Sequence, residues 1–176
     1  MHRTAEAIQA LDRAARLNPL PEYQWALADT LRLQGLADRA EQVEHELTRT
    51  GATTDPRTLA LYLSTRRTDT TLAVRLTQEE LRSRHDVFTL DAHAWALAAT
   101  GRNNEARQVM SRALAEGTRD ARLFLHAGGI EAASGNTTDA RKWLKEAEHL
   151  RAMLLPSESA ELSRQLIATR QRGESQ

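Results

Sequence analysis

Ala121-Arg-Leu-Phe-Leu-His-Ala-Gly-Gly-Ile-Glu-Ala-Ala-Ser-Gly-Asn-Thr-Thr-Asp-Ala-Arg-Lys-Trp-Leu-Lys-Glu-Ala147 is the stretch whose reading decides the fold. It holds four small residues in fixed register: Gly128, Gly135, Ala140 and Ala147. The same skeleton stands upstream as Ala94, Gly101, Ala106 and Ala113, with the two turn glycines, Gly101 and Gly135, 34 residues apart. A period of that size marks stacked helical hairpins. Each slot has a physical job. Gly128 or Ala94, in the middle of a first helix, lets a second helix cross closely. Gly135 or Gly101 ends the first helix in a left-handed conformation without a Cβ penalty. Ala140 or Ala106 is expected to face the small residue of the first helix, and Ala147 or Ala113 to meet the helix that follows. Leu123, Ile130, Trp143, Leu144 and Leu150 recur at helical spacing and supply the apolar face.

Working outward, Ala28, Gly35, Ala40 and Leu47 repeat the skeleton in a hairpin over 21–50, with Pro21 at the first helical turn and the second helix expected to run from Ala37 to Arg49 and stop at Gly51. A helix over 4–17 precedes it, carrying Ala7, Leu11 and Ala14 on one face and stopped by Asn18-Pro19. The hairpin over 55–84 is degenerate: Asp55-Pro56 starts it, but the turn Arg66-Arg67-Thr68-Asp69 has no glycine. It is slightly shortened, with the loss expected near His85-Asp86. Thr77-Gln-Glu-Glu80 reads as a capping box that would kink its second helix. Regular hairpins follow over 88–116 and 119–150. Residues 1–156 thus form the array, and 157–176 a capping helix with a polar tail. In that cap, Leu162, Leu166 and Ile167 face inward, and Glu158, Glu161, Arg164, Gln165 and Arg170 face outward.

Composition narrows the function. Lys+Arg and Asp+Glu are both 24, and a neutral chain argues against a nucleic-acid surface. Nearly all the basic residues are arginine, with lysine only at 142 and 145. The absence of cysteine excludes disulfides, thiolate metal sites and cysteine nucleophiles. No apolar run reaches membrane-spanning length, and the first residues read as an amphipathic helix and not as a signal peptide, so membrane insertion is not expected. The compartment is left open between cytoplasm and periplasm.

The small-residue skeleton resembles the tetratricopeptide repeat family over nearly the whole chain. Ala7/Leu11/Ala14/Pro19 is similar to the closing half of one repeat. Departures are Leu31, Leu97 and Ala37 where the family has aromatic residues, and the weakly matching hairpin from Asp55 to His85. The resemblance implies an all-α, right-handed superhelix of about four hairpins, whose first helices line a concave groove that takes a protein or peptide. It implies no catalysis. Carried onto this chain, the groove face is Glu22, Trp25, Asp29, Arg32, Phe88, Asp91, Trp95, Ala98, Arg122, Leu125, Gly129 and Ala132, with Thr58 and Tyr62 at an uncertain register. Of these, Trp25, Asp29, Arg32, Phe88, Asp91, Trp95, Arg122 and Leu125 are the expected partner-binding residues, since tryptophan and arginine dominate binding hot spots. Ala98, Gly129 and Ala132 would leave room for a bulky partner side chain. Trp25 and Trp95 read equally well as packing between hairpins. The family's clamp of lysines and asparagines on a peptide carboxylate is not reproduced here.

No catalytic or metal-binding pattern stands out. The histidines at 2, 45, 85, 93, 126 and 149 include no His-Glu-x-x-His pair, although His93 and His126 fall on neighbouring hairpins. Neither Ser111 nor Ser134 has a nucleophile context. No cofactor is expected. Two rivals to a binding scaffold remain: a spacer that self-associates through the helix over 4–17, or the helical accessory region of a larger enzyme. That opening helix reads as the second half of a hairpin, which suggests the C-terminal part of a longer array.

Overall fold

The structure, a computed structural model, describes residues 2–174, with side chains over 4–172. The helices are α1 (His2–Leu17), α2 (Pro21–Leu33), α3 (Ala37–Thr54), α4 (Pro56–Arg66), α5 (Thr70–Glu80), α6 (Val87–Ala99), α7 (Asn103–Ala115), α8 (Ala121–Ala133), α9 (Thr137–His149) and α10 (Pro156–Glu174), with a 3₁₀ turn at Arg151–Met153. No strand occurs among the described residues. Met1 and the last two residues of the expected polar tail lie outside the described residues, and the helix carries the rest of that tail to Glu174.

Local chemistry sets the boundaries. The carboxylates of Asp55, Asp69, Asp86 and Asp120 accept backbone N–H groups in the first turns of α4, α5, α6 and α8, satisfying donors that have no intrahelical partner. Gly35, Gly101 and Gly135 follow α2, α6 and α8 with φ of 74°, 82° and 83°. In the degenerate hairpin the same left-handed slot is taken by Arg67, at φ 52°. That turn therefore has the geometry of the regular hairpins without their glycine. Both helices of this pair have 11 residues, against 13 in their counterparts α6 to α9. The shortening thus lies in the helices and not only near His85. Helix α5 also runs unbroken through Thr77, whose hydroxyl donates to the carbonyls of Ala73 and Val74 in place of opening a capping box.

Two glycines inside helices sit at close helix contacts. Gly51 does not stop α3, which continues to Thr54; a Cβ there would meet Leu59 Cβ at 3.1 Å, so this glycine admits α4 at close range. The atoms nearest Gly128 belong to Leu144: an added Cβ would sit 2.6 Å from its Cγ and 3.1 Å from its backbone nitrogen.

Successive pairs stack, α2 on α3, α4 on α5, α6 on α7 and α8 on α9. The first members of the pairs also form an inner circuit, in which α2 meets α4, α4 meets α6, α6 meets α8 and α8 meets α10. Helix α10 then returns to α2. The circuit is closed, and the largest core cluster joins it to the second helices: Trp25, Leu59, Tyr62 and Trp95 are buried together with Leu47 of α3, Ala73 of α5 and Met110 of α7.

Helix α1 lies outside this circuit. Ile8, Leu11 and Ala15 pack on a small cluster of Leu27, Ala28, Leu31 and Ala40. Ala7 and Ala14 stay half-buried, whereas Ala106, Ala113, Ala140 and Ala147, at the corresponding slots, are fully buried. The apolar face of α1 is therefore only partly covered.

Candidate interaction groove

Most of the residues expected to line a groove already have partners within the chain. The partner of three of them is the start of α10. Trp25 is fully buried and its Nε1–H donates to Ser157 Oγ at 3.1 Å. Asp29 accepts the backbone N–H of Ser157 at 2.8 Å. Arg122 donates through Nε and Nη2 to Glu158, and through Nη2 to Glu22 at 3.0 Å. Its guanidinium lies 5.4 Å from the centre of the Trp25 ring. Glu158 also accepts the N–H of Leu155 at 2.9 Å, reaching back to cap its own helix.

Glu158 was expected on the outward side of the cap and is instead fully buried; Ile167, expected inside, is 57% exposed. Leu162 and Leu166 do face inward and Arg164 and Arg170 outward, so the departures from the amphipathic pattern of α10 are Glu158 and Ile167. Glu158 departs because the first turn of α10 meets α2 and α8 together, and Arg122 draws the carboxylate inward. Burial pushes the Glu158 carboxyl above the ordinary carboxylate range, against the pull of Arg122. Arg122 is disfavoured by burial too, but it faces two carboxylates, Glu158 and Glu22, and stays firmly charged. The Asp29 carboxyl is likewise raised by burial, opposed by its bonds to Ser157.

The remaining predicted residues divide. Arg32 donates to Glu44 with Nε at 3.0 Å, and Arg66 pairs with the same carboxylate. Burial of Glu44 is outweighed by these two guanidiniums, which hold it below its usual value. Arg32 and Asp29 also line an open cleft of about 220 Å³ between α2 and α10. Asp91 is buried and accepts from His126 Nδ1 at 2.9 Å, which leaves the buried Nε2 of that histidine with no partner among the described residues. Trp95 stacks on His126 with ring centres 4.4 Å apart, and its Nε1–H donates to Thr65 Oγ1 at 3.0 Å. The space left by Gly129 is filled by Trp95 itself, which a Cβ there would meet at 3.2 Å. Leu125 is 1% exposed. Phe88, at 45%, is the most accessible of the set and lies beneath Arg57. The degenerate hairpin contributes Tyr62, edge-on to Trp25 at 5.6 Å.

His93 and His126 are not brought together. His93 Nδ1 pairs with the Thr77 hydroxyl at 2.9 Å, while His126 turns to Asp91. No group of three or more histidine, aspartate or glutamate side chains able to hold a metal ion occurs among the described residues. No described helix is long and apolar enough to cross a membrane.

A family model for the tetratricopeptide repeat matches residues 1–53 and 92–152, more than half of the chain. The chain belongs to the tetratricopeptide repeat family. The two matched regions hold the regular turns Gly35, Gly101 and Gly135, and the unmatched interval contains the hairpin whose turn is made by Arg67. Tetratricopeptide repeats are generally protein-interaction scaffolds and typically non-catalytic. No curated protein matches the chain.

Proposed function

We propose that this chain is a non-catalytic scaffold that recognises a protein or peptide segment on the inner face of its tetratricopeptide repeats, at Trp25, Asp29, Arg32, Phe88, Asp91, Trp95, Arg122 and Leu125. One observation carries the reading. The indole N–H of Trp25, the carboxylate of Asp29 and the guanidinium of Arg122 already grip a polypeptide segment more than thirty residues from each in sequence: the helix start Leu155–Glu158. They take its hydroxyl, its backbone N–H and its carboxylate. A partner helix that begins with Ser or Thr followed by Glu offers the same three groups. In this reading α10 occupies the site until such a partner displaces it, and Phe88 at the mouth makes the first contact.

The test uses a synthetic peptide of residues 154–172, added to the wild-type chain and to a Ser157→Pro/Glu158→Arg variant whose own helix start cannot engage. The tethered segment competes at an effective concentration in the millimolar range. The variant should therefore bind the peptide at least about tenfold more tightly than wild type. Equal binding to both chains, or no binding to the variant, would sink the reading.

Self-association through α1 is a second reading, favoured by the half-covered Ala7 and Ala14. Sedimentation should then show a concentration-dependent dimer that Ala14→Arg abolishes; a monomer at every concentration removes it.

A further inference from the structure

A second cleft, of about 320 Å³, lies between α9 and the C-terminal half of α10, away from the helix start that fills the inner face. Its walls carry Arg141, Lys145 and Arg170, and Leu166 and the buried Leu144 close it below. Most of the described arginines stand within 4 Å of a carboxylate, yet among the described residues none of these three cations makes an ion pair. Arg141 is steadied instead by the Thr169 carbonyl at 3.3 Å, which leaves its charge uncompensated. The one acid on the cleft wall, Glu148, is paired with Arg151 at 3.1 Å. Both lysines of the chain are on α9, and the other, Lys142, sits over the Trp143 ring at 4.4 Å.

We propose that this cleft is an interaction site for an acidic amphipathic segment of a partner protein. Three cations around an apolar floor match a helix that carries leucines on one face and Asp or Glu beside them: the leucines cover Leu166 and the stems of Arg141 and Lys145, and the carboxylates meet the unpaired charges. A nucleic acid fits less well. The chain has no net charge to attract a phosphate backbone, and the cleft has no aromatic ring on which bases stack.

The probe is a fluorescein-labelled helical peptide with leucine at i, i+3, i+4 and i+7 and glutamate elsewhere, followed by anisotropy. Its counterpart has lysine for every glutamate, and an oligo(dT) strand is run in parallel. The wild-type chain should bind the glutamate peptide and ignore the lysine peptide. Lys145→Glu/Arg170→Glu, at exposed positions, should weaken the first about tenfold and gain binding to the second. A circular-dichroism melt checks that the variant is folded. Glutamate-peptide binding unchanged by the double reversal would overturn the assignment, and so would the absence of binding at millimolar peptide. Oligo(dT) bound as tightly as the peptide and lost in the same variant would reassign the cleft to polyanions in general.

Discussion

The two terminal helices, α1 and α10, face the same problem and solve it differently. Each has a complete hairpin on one side only. Helix α1 lies along α2 through Ile8, Leu11 and Ala15 and has no fully buried residue among those described. Helix α10 buries Glu158, Leu162 and Thr169 because it touches α9, α8 and, across the closed circuit, α2. An end helix is thus held by how many elements it reaches as well as by its own apolar stripe. A polar grip on distant residues can do what a second apolar face would otherwise do.

The largest expected effect comes from cutting that grip. Arg122→Leu leaves Glu158 buried without a cation, and a broken buried pair of this kind costs roughly 3–5 kcal/mol. Urea unfolding followed by circular dichroism should show that loss; a loss near that of an exposed ion pair would mean that α10 is held by its apolar contacts and the Ser157 bonds without help from Arg122. Next, the contrast between the ends can be read with one substitution in each. Leu162→Ala, in a fully buried position, should cost about 2–5 kcal/mol. Leu11→Ala, half-covered on α1, should cost about 1 kcal/mol or less. Equal losses would show that α1 is as well anchored as α10.

The smallest effect is a pH dependence. Burial holds the Asp29 carboxyl above its ordinary value in the folded chain, so folding is accompanied by proton uptake in that window. The stability that comes from the raised pKa is complete below the ordinary carboxylate range and is lost as pH rises through the folded value. The melting temperature of wild type relative to Asp29→Asn should therefore increase as pH is lowered from neutrality toward that range. A difference that shrinks over the same interval would mean that the Ser157 bonds outweigh burial.

Much of the architecture is legible in the residues, because its signals are local. A glycine at positive φ after α2, α6 and α8, and small residues at close crossings, leave marks at fixed spacing. The degenerate hairpin is less legible because Arg67 occupies a left-handed slot that residue identity does not announce, and because Gly51 resembles a stop while serving as a close contact inside α3. The faces carrying Trp25, Asp29, Asp91, Trp95 and Arg122 could be read from the repeat register. Their occupancy could not. Trp25 and Ser157 are 132 positions apart, and nothing near either residue reports that the circuit closes. Glu158 has an outward place in a helix judged alone; only Arg122, arriving from α8, turns it inward.

The closed circuit itself is best tested with paired spin labels at Leu33→Cys and Ala160→Cys, which line the cleft between α2 and α10. The chain has no cysteine of its own, so both labels are unique. A closed circuit predicts one narrow, short distance with strong dipolar broadening, lost in Arg122→Leu. A long or broad distribution in the wild-type chain would contradict it.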